Sequence, residues 1–381
     1  MDMIKRLGEI CNIVSGGTPS RTQTKFWENG NIPWIKIGDI KSKYVNEANE
    51  HITQEGLDGS SAKLLQKGTI LYTIFATLGE VGILTIEACT NQAIAGITIK
   101  NQEEVLPDYL YYYLKSKKAH INEIGRGVAQ NNINMSILRG LNVPLPSVQN
   151  QQKIAEILDM ISNLIVKHKQ QLEKLDELIK ARFVEMFGNI AETVPLSYYI
   201  SAVSAGKSLA GEEECSNKVL KTGAATYDYF DSTQIKNLPV DYEPQEEHRV
   251  NTGDVIISRM NTSELVGAAA YVWEAPKCTY LPDRLWRAEI KDTACPIFVW
   301  QVLIQSSTKE SIRRIASGTS GSMKNISKPG LLGIRVNKVP LELQNQFATF
   351  VKQIDKSKVV VQKALDEAQL LFDSKMQEYF G

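Results

Sequence analysis

The sequence predicts an α+β chain in which two pseudo-repeated α/β bodies are separated by an antiparallel pair of long coiled-coil helices. Three observations carry this expectation. Residues 132–188 align without a gap with residues 325–381, each of these tails spaces its apolar residues four and then three apart, and mixed strand-like and helix-like runs precede each tail. With 381 residues, the chain is long enough for two domains with cores of their own.

Composition narrows the function classes. The 43% hydrophobic and 23% charged residues exclude a disordered or collagen-like chain. No apolar run approaches the roughly 18 to 20 residues that a bilayer requires, so no membrane partner is expected. The opening Met1-Asp2-Met3-Ile4-Lys5-Arg6 leads into no signal-type apolar stretch, and a cytoplasmic protein is expected. Cys11, Cys89, Cys215, Cys278 and Cys295 are odd in number and scattered, which suits small buried hydrophobes better than disulfides or a zinc knuckle. Lys plus Arg number 43 and so do Asp plus Glu, so any nucleic-acid role must rest on local patches or a basic partner.

The repeat is read from identities. Asn132-Ile133 matches Asn325-Ile326, Gly140 matches Gly333, Val143 matches Val336, Gln151 matches Gln344, and Phe187-Gly188 matches Phe380-Gly381. Upstream the match weakens, although Lys36-Ile37-Gly38 still falls on Lys221-Thr222-Gly223. Matched tails suggest shared partners, and divergent bodies suggest two different ligands.

In the first tail Ile154, Leu158, Ile161, Ile165, His168, Leu172, Leu175, Ile179, Arg182 and Met186 form a coiled-coil seam. Its counterpart is Phe347, Val351, Ile354, Lys358, Val361, Leu365, Ala368, Phe372, Lys375 and Tyr379. Ser147 is the expected N-cap and Gly188 the stop, giving helices of about 37 residues. One narrow apolar stripe cannot stand alone in water, and its own repeat is the obvious partner. Because the second body begins where the first helix ends, the pair is most easily antiparallel. His168 is expected to fix register, and Lys358 to pack its stem and extend its charge to water.

The bodies contain strand-like runs at residues 32–37, 69–75, 94–99, 254–258 and 268–273, and helical stretches at residues 108–123 and 296–315. Enzyme motifs are sparse. Ser15-Gly16-Gly17-Thr18-Pro19 lacks the lysine of a phosphate loop and reads as a plain turn. Asp283 and Glu289, followed by Lys291, imitate a metal-dependent nuclease, but their close spacing favours a strand with solvated charges. His51, His120, His168 and His248 show no metal-ligand spacing, so no metal and no catalytic residue is expected.

Loop chemistry suited to DNA remains. Arg126-Gly127-Val128-Ala129-Gln130-Asn131-Asn132 joins a guanidinium, a glycine and side-chain amides, groups that bond base edges and allow backbone to approach phosphate. The second body places residues 317–325 at the equivalent position. Candidate contacts are Thr18, Ser20, Arg21, Lys36, Thr77, Arg126, Gln130 and Asn131 in the first body. In the second they are Lys207, Arg259, Asn261, Thr262, Ser322 and Lys324. Asn132 and Asn325 are expected instead to cap the next segment.

Together, Ile32-Pro33-Trp34-Ile35-Lys36-Ile37-Gly38-Asp39-Ile40, the 127–133 turn, Val143-Pro144-Leu145-Pro146 leading into Gln151, and the closing Arg182-Phe183 to Phe187-Gly188 resemble the DNA-specificity subunit of type I restriction-modification systems. The resemblance implies two target-recognition domains, residues 1–147 and 189–338, and two spacer helices, residues 148–188 and 339–381. It implies double-stranded DNA and two methyltransferase subunits as partners, with a restriction subunit a further candidate. S-adenosylmethionine, ATP and Mg²⁺ would belong to those partners, with no cofactor on this chain. The second body departs from the family pattern at residues 218–224 and 324–329, which fits unlike half-sites in an asymmetric bipartite target spaced by about one DNA turn, roughly 34 Å. Two other readings stay open: a coiled-coil adaptor that binds only proteins, and a metal-dependent nuclease.

Overall fold

The computed structural model describes residues 3–126, 132–318 and 323–381, with the backbone alone for residues 124–126. Two compact units divide the chain, Met1–Gln170 with Gln362–Gly381, and Gln171–Val361. Each unit holds one body and half of each long helix.

The seam forms the helices that the spacing predicts. They span Val148–Phe187 and Leu341–Phe380, 40 residues each, or about 60 Å at 1.5 Å per residue. Every seam position is buried or half-buried, while most of the positions between them face solvent. Within the second unit the halves run antiparallel. Phe347, near the start of one helix, packs its ring 5.5 Å from Phe183 and 5.4 Å from Phe187, near the end of the other. Farther along, Lys358 Nζ donates to Asp176 Oδ1 at 2.7 Å. The lysine charge expected to reach water is therefore matched by a carboxylate on the facing helix. In the first unit Leu158, Ile161, Phe372 and Phe380 share one core with the body's Tyr109, Tyr112 and Tyr113.

The two bodies repeat one topology that the sequence leaves unread. In the first, the sheet order is Cys11–Ser15, Ile94–Ile99, Ile70–Thr73, Val81–Leu84 and Tyr44–Val45, the last strand parallel to its neighbour and the rest antiparallel. In the second it is Ile200–Ser204, Leu285–Ile290, Val255–Ser258 and Ala269–Tyr271, all antiparallel. Each body adds a three-stranded sheet, centred on Ile32–Ile35 or on Lys218–Leu220. A two-stranded clasp ties the entrance of each body to its exit, Met3–Arg6 to Asn142–Leu145 and Thr193–Pro195 to Arg335–Asn337. Tyrosines bolt both clasps. Tyr109 donates to the Pro144 carbonyl at 2.7 Å, and Tyr199 donates to the Asn337 carbonyl at 2.8 Å.

Both predicted body helices are broken once. The first runs Pro107–Ser116 and resumes at Lys118–Arg126, and the second runs Pro296–Ile304 and resumes at Ser306–Ile315 after an extended Gln305. The expected caps also move by two residues. Asn134 Oδ1 accepts from the Ile137 amide and Ser327 Oγ from the Gly330 amide, whereas Asn132 and Asn325 are taken up in bridges to Phe75 and Met260. An extended residue in a ladder cannot also stand at a helix N-cap two positions ahead of the first turn.

Candidate functional site

In the first body the turn at Gly16-Gly17 brings a loop against the neighbouring chain. The Gly16 amide donates to Ile94 and the Gly17 amide to Thr90. A Cβ on Gly16 would lie 2.2 Å from the Asn91 carbonyl oxygen, and one on Gly17 2.3 Å from the Ser61 carbonyl carbon. Only glycine permits this approach, which makes the motif a structural turn.

That loop gathers four of the predicted residues. Thr18 Oγ1 donates to Gln92 Oε1, and the Ser20 carbonyl accepts from Trp27 Nε1 at 3.1 Å. The Arg21 guanidinium lies 3.6 Å above the Trp27 ring and 4.9 Å from Trp34, a cation–π arrangement that orders an otherwise mobile side chain. Arg21 also ion-pairs with Glu50 at 2.6 Å, and Lys36 reaches the same carboxylate. The hydrogen bond from Lys36 holds the Glu50 carboxyl below its usual range, with partial burial opposing and Arg21 assisting. The result is an ordered, half-exposed Arg–Trp–Lys platform whose charge is offset by Glu50.

Thr77 stands apart from this platform. It follows Ala76, which has φ +60°, on the turn after Ile70–Thr73, and its carbonyl accepts from Thr73 Oγ1. An antiparallel bridge joins Phe75, just before that turn, to Asn132. Gln130, Asn131, Ser322 and the side chain of Arg126 lie outside the described residues.

The second body assembles its candidates around a short ladder. Met260–Asn261 pairs with Lys324–Asn325, with Asn261 opposite Lys324. Asn261 Oδ1 accepts from the Thr262 amide at 2.9 Å, and Lys324 Nζ donates to the Gly318 carbonyl at 2.9 Å. Arg259 immediately precedes the ladder, and its amide donates to the Arg284 carbonyl. Lys207 is exposed on the adjoining loop, which is fixed by the bond from Ser208 Oγ to Asp283. The Ser208–Asp283 and Arg259–Arg284 bonds thus bring the segments that carry Lys207, Arg284 and Arg259 together.

The nuclease-like carboxylates do not form a centre. Asp283 is engaged by Ser208, while Glu289 lies in Leu285–Ile290 opposite Ala202. Among the described residues no group of three or more His, Cys, Asp or Glu is placed to hold a metal ion, and no helix is long and apolar enough to cross a membrane.

Sequence reasoning missed Trp27, Glu50, Arg284 and Trp286, residues that orient or neighbour the candidates. Arg284 adjoins Asp283 and was hidden by the nuclease-like pattern. It also missed a cleft of the first unit, about 1710 Å³, lined by Lys115, Lys117, Lys118, Lys169, Tyr111 and Phe372. Burial pushes the Lys115 and Lys117 ammonium groups below the usual lysine range. Lys117 donates to the Phe380 carbonyl at 2.6 Å, tying the body to the end of the second long helix.

Known proteins show the same pattern. The family described as type I restriction modification DNA specificity domain matches residues 3–177. The MjaIX specificity subunit of Methanocaldococcus jannaschii is 32% identical over 48% of this chain and 43% of its own length. The EcoR124I/EcoR124II specificity subunit of Escherichia coli is 30% identical over 47% and 45%. Thus the chain spans less than half the length of these two relatives. A second M. jannaschii protein, the MjaVIII specificity subunit, is 24% identical over 92% of this chain and 85% of its own. The solved S subunit from M. genitalium shares the fold, with a TM-score of 0.61 over 100% of this chain and 96% of that one at 16% identity.

Proposed function

We propose that the chain belongs to the DNA-specificity family of type I restriction-modification systems, which it resembles in sequence, and that it recognises an asymmetric bipartite sequence in double-stranded DNA for partner subunits that carry out the chemistry. Residues 1–147 and 189–338 are the two recognition domains, and residues 148–188 and 339–381 are the spacer helices that set the distance between half-sites. Two methyltransferase subunits supply S-adenosylmethionine-dependent methylation, and a restriction subunit with ATP and Mg²⁺ joins them. The chain itself contributes no catalytic group.

One observation carries this reading beyond the resemblance: two bodies of one topology present different polar sets on their loops. The first offers Thr18, Ser20, Arg21 and Lys36, and the second offers Lys207, Arg259, Asn261, Thr262 and Lys324. A constant frame with variable loops is how a reader of two unlike sequences is built, because phosphate contacts fix register and base contacts specify. Arg21 and Lys36 approach a phosphate by exchanging Glu50 for it, which limits the net gain from that site. With zero net charge overall, the chain alone binds weakly and gains selectivity in the assembled complex.

Fluorescence anisotropy with duplex DNA, with and without the methyltransferase subunits, tests the proposal. Sequence-selective binding that appears on assembly supports it. Tight selective binding by the lone chain, or none by the complex, contradicts it.

A further inference from the structure

The two bodies differ at one place on the sheet they have in common. Tyr72 lies opposite Ala95 in the first, and Ile257 lies opposite Trp286 in the second. Two residues farther along the same strands stand Ile74, 3% exposed and in the core, and Arg259. A guanidinium therefore replaces a core isoleucine, and a tryptophan replaces the alanine beside it.

That exchange is costly for folding alone. Arg21 is paired with Glu50 and Arg287 with Asp254, but among the described residues Arg259 Nε is buried with no hydrogen-bond partner, as is Trp286 Nε1. The Trp286 ring, 5.7 Å from Arg259 Cζ, is the shelf beneath the cation. A half-buried cation without a carboxylate, beside a second unmatched donor, is a poor way to fill a core and a good way to await acceptors. The major-groove edge of guanine presents two, O6 and N7, at the spacing of a guanidinium fork.

Resting on the proposed DNA-reading function, we infer that Arg259 is a specificity-determining residue of the second body and reads one guanine, with Trp286 positioning its guanidinium. The first body has no counterpart, so the guanine belongs to one half-site.

The test is methylome sequencing with the complete system, comparing the native chain with Arg259→Met and Arg259→Lys. Both variants are also melted, because Ile74 shows that an apolar side chain suits this position. The expected result is an unchanged or raised Tm for Arg259→Met. Discrimination at one G·C pair falls roughly tenfold or more, in the half-site that persists when residues 1–147 are exchanged. Arg259→Lys keeps the charge but loses the fork, and is expected to relax the same position. Retained discrimination overturns the inference, and so does uniform weakening across all sequences, which marks a phosphate contact. If the native system methylates without sequence preference, the proposed function itself falls.

Discussion

The side-chain oxygen of Gln151 accepts a hydrogen bond from the backbone amide of Leu106 at 3.0 Å. Leu106 is the N-cap of Pro107–Ser116, and Gln151 is fully buried in the first turns of the long helix. Gln151 Nε2 donates to the Glu104 and Pro146 carbonyls. The repeat has the same joint: Gln344 accepts from the Cys295 amide at 2.9 Å, ahead of Pro296–Ile304, and donates to the Val339 carbonyl at 2.8 Å. One amide side chain thus satisfies orphan backbone groups at both helix starts and fixes the body to its spacer. The identity of these two glutamines in the repeat has a physical cause.

Replacing Gln151 or Gln344 with alanine leaves those backbone groups buried and unmatched. Each variant is expected to lose about 1–3 kcal/mol of stability, measured by denaturant unfolding. A loss below about 0.5 kcal/mol contradicts the joint.

The seam predicts an asymmetry between its apolar and ionic members. Phe347 is fully buried against Phe183, Phe187 and Phe298 in one cluster, so Phe347→Ala should cost about 3–5 kcal/mol. Asp176 is half exposed where it meets Lys358, so Asp176→Ala should cost no more than about 1 kcal/mol. Comparable losses in thermal melts would show that the ion pair, not packing, holds the helices.

Gly17 is required by contact rather than by dihedral angle. Gly17→Ala would push a methyl group against the Ser61 and Ala62 backbone, and a cost of about 1–3 kcal/mol is expected. The Trp34 indole donates to the Gly17 carbonyl at 2.9 Å, so a shift in tryptophan emission should accompany it. An unperturbed variant contradicts the packed turn.

The Arg21 platform carries a pH dependence. Glu50 is held below its usual value of 4.5, so its contribution is present above that value and is lost as pH falls through the lowered one. Acidification below the ordinary carboxylate range should release Arg21 from its seat over Trp27 and change tryptophan fluorescence before global unfolding. Glu50→Gln should abolish that early transition. Persistence of the transition in the variant assigns it to another group.

The long helices were legible because a repeated four-then-three spacing has one economical solution, and the strand at Ile94–Ile99 because it is a bounded β-branched run. The sheet order was not, because strands such as Cys11–Ser15 and Ile200–Ser204 are short and find their partners far along the chain. The candidate loops were located by residue type and by their place in the repeat. Their organisation was hidden, since nothing local announces that Glu50 sits under Arg21 and Lys36, or that Trp286 lies beside Arg259. Lys358 shows the same limit: spacing put it in the seam, but its carboxylate partner comes from the other helix.

The most direct test of two readers on a common frame is exchange of residues 1–147 for the corresponding body of another family member, followed by methylome sequencing of the complete system. One half of the modified sequence should change, while the other half and the gap between them stay as they were. A change in both halves, or in neither, contradicts the account.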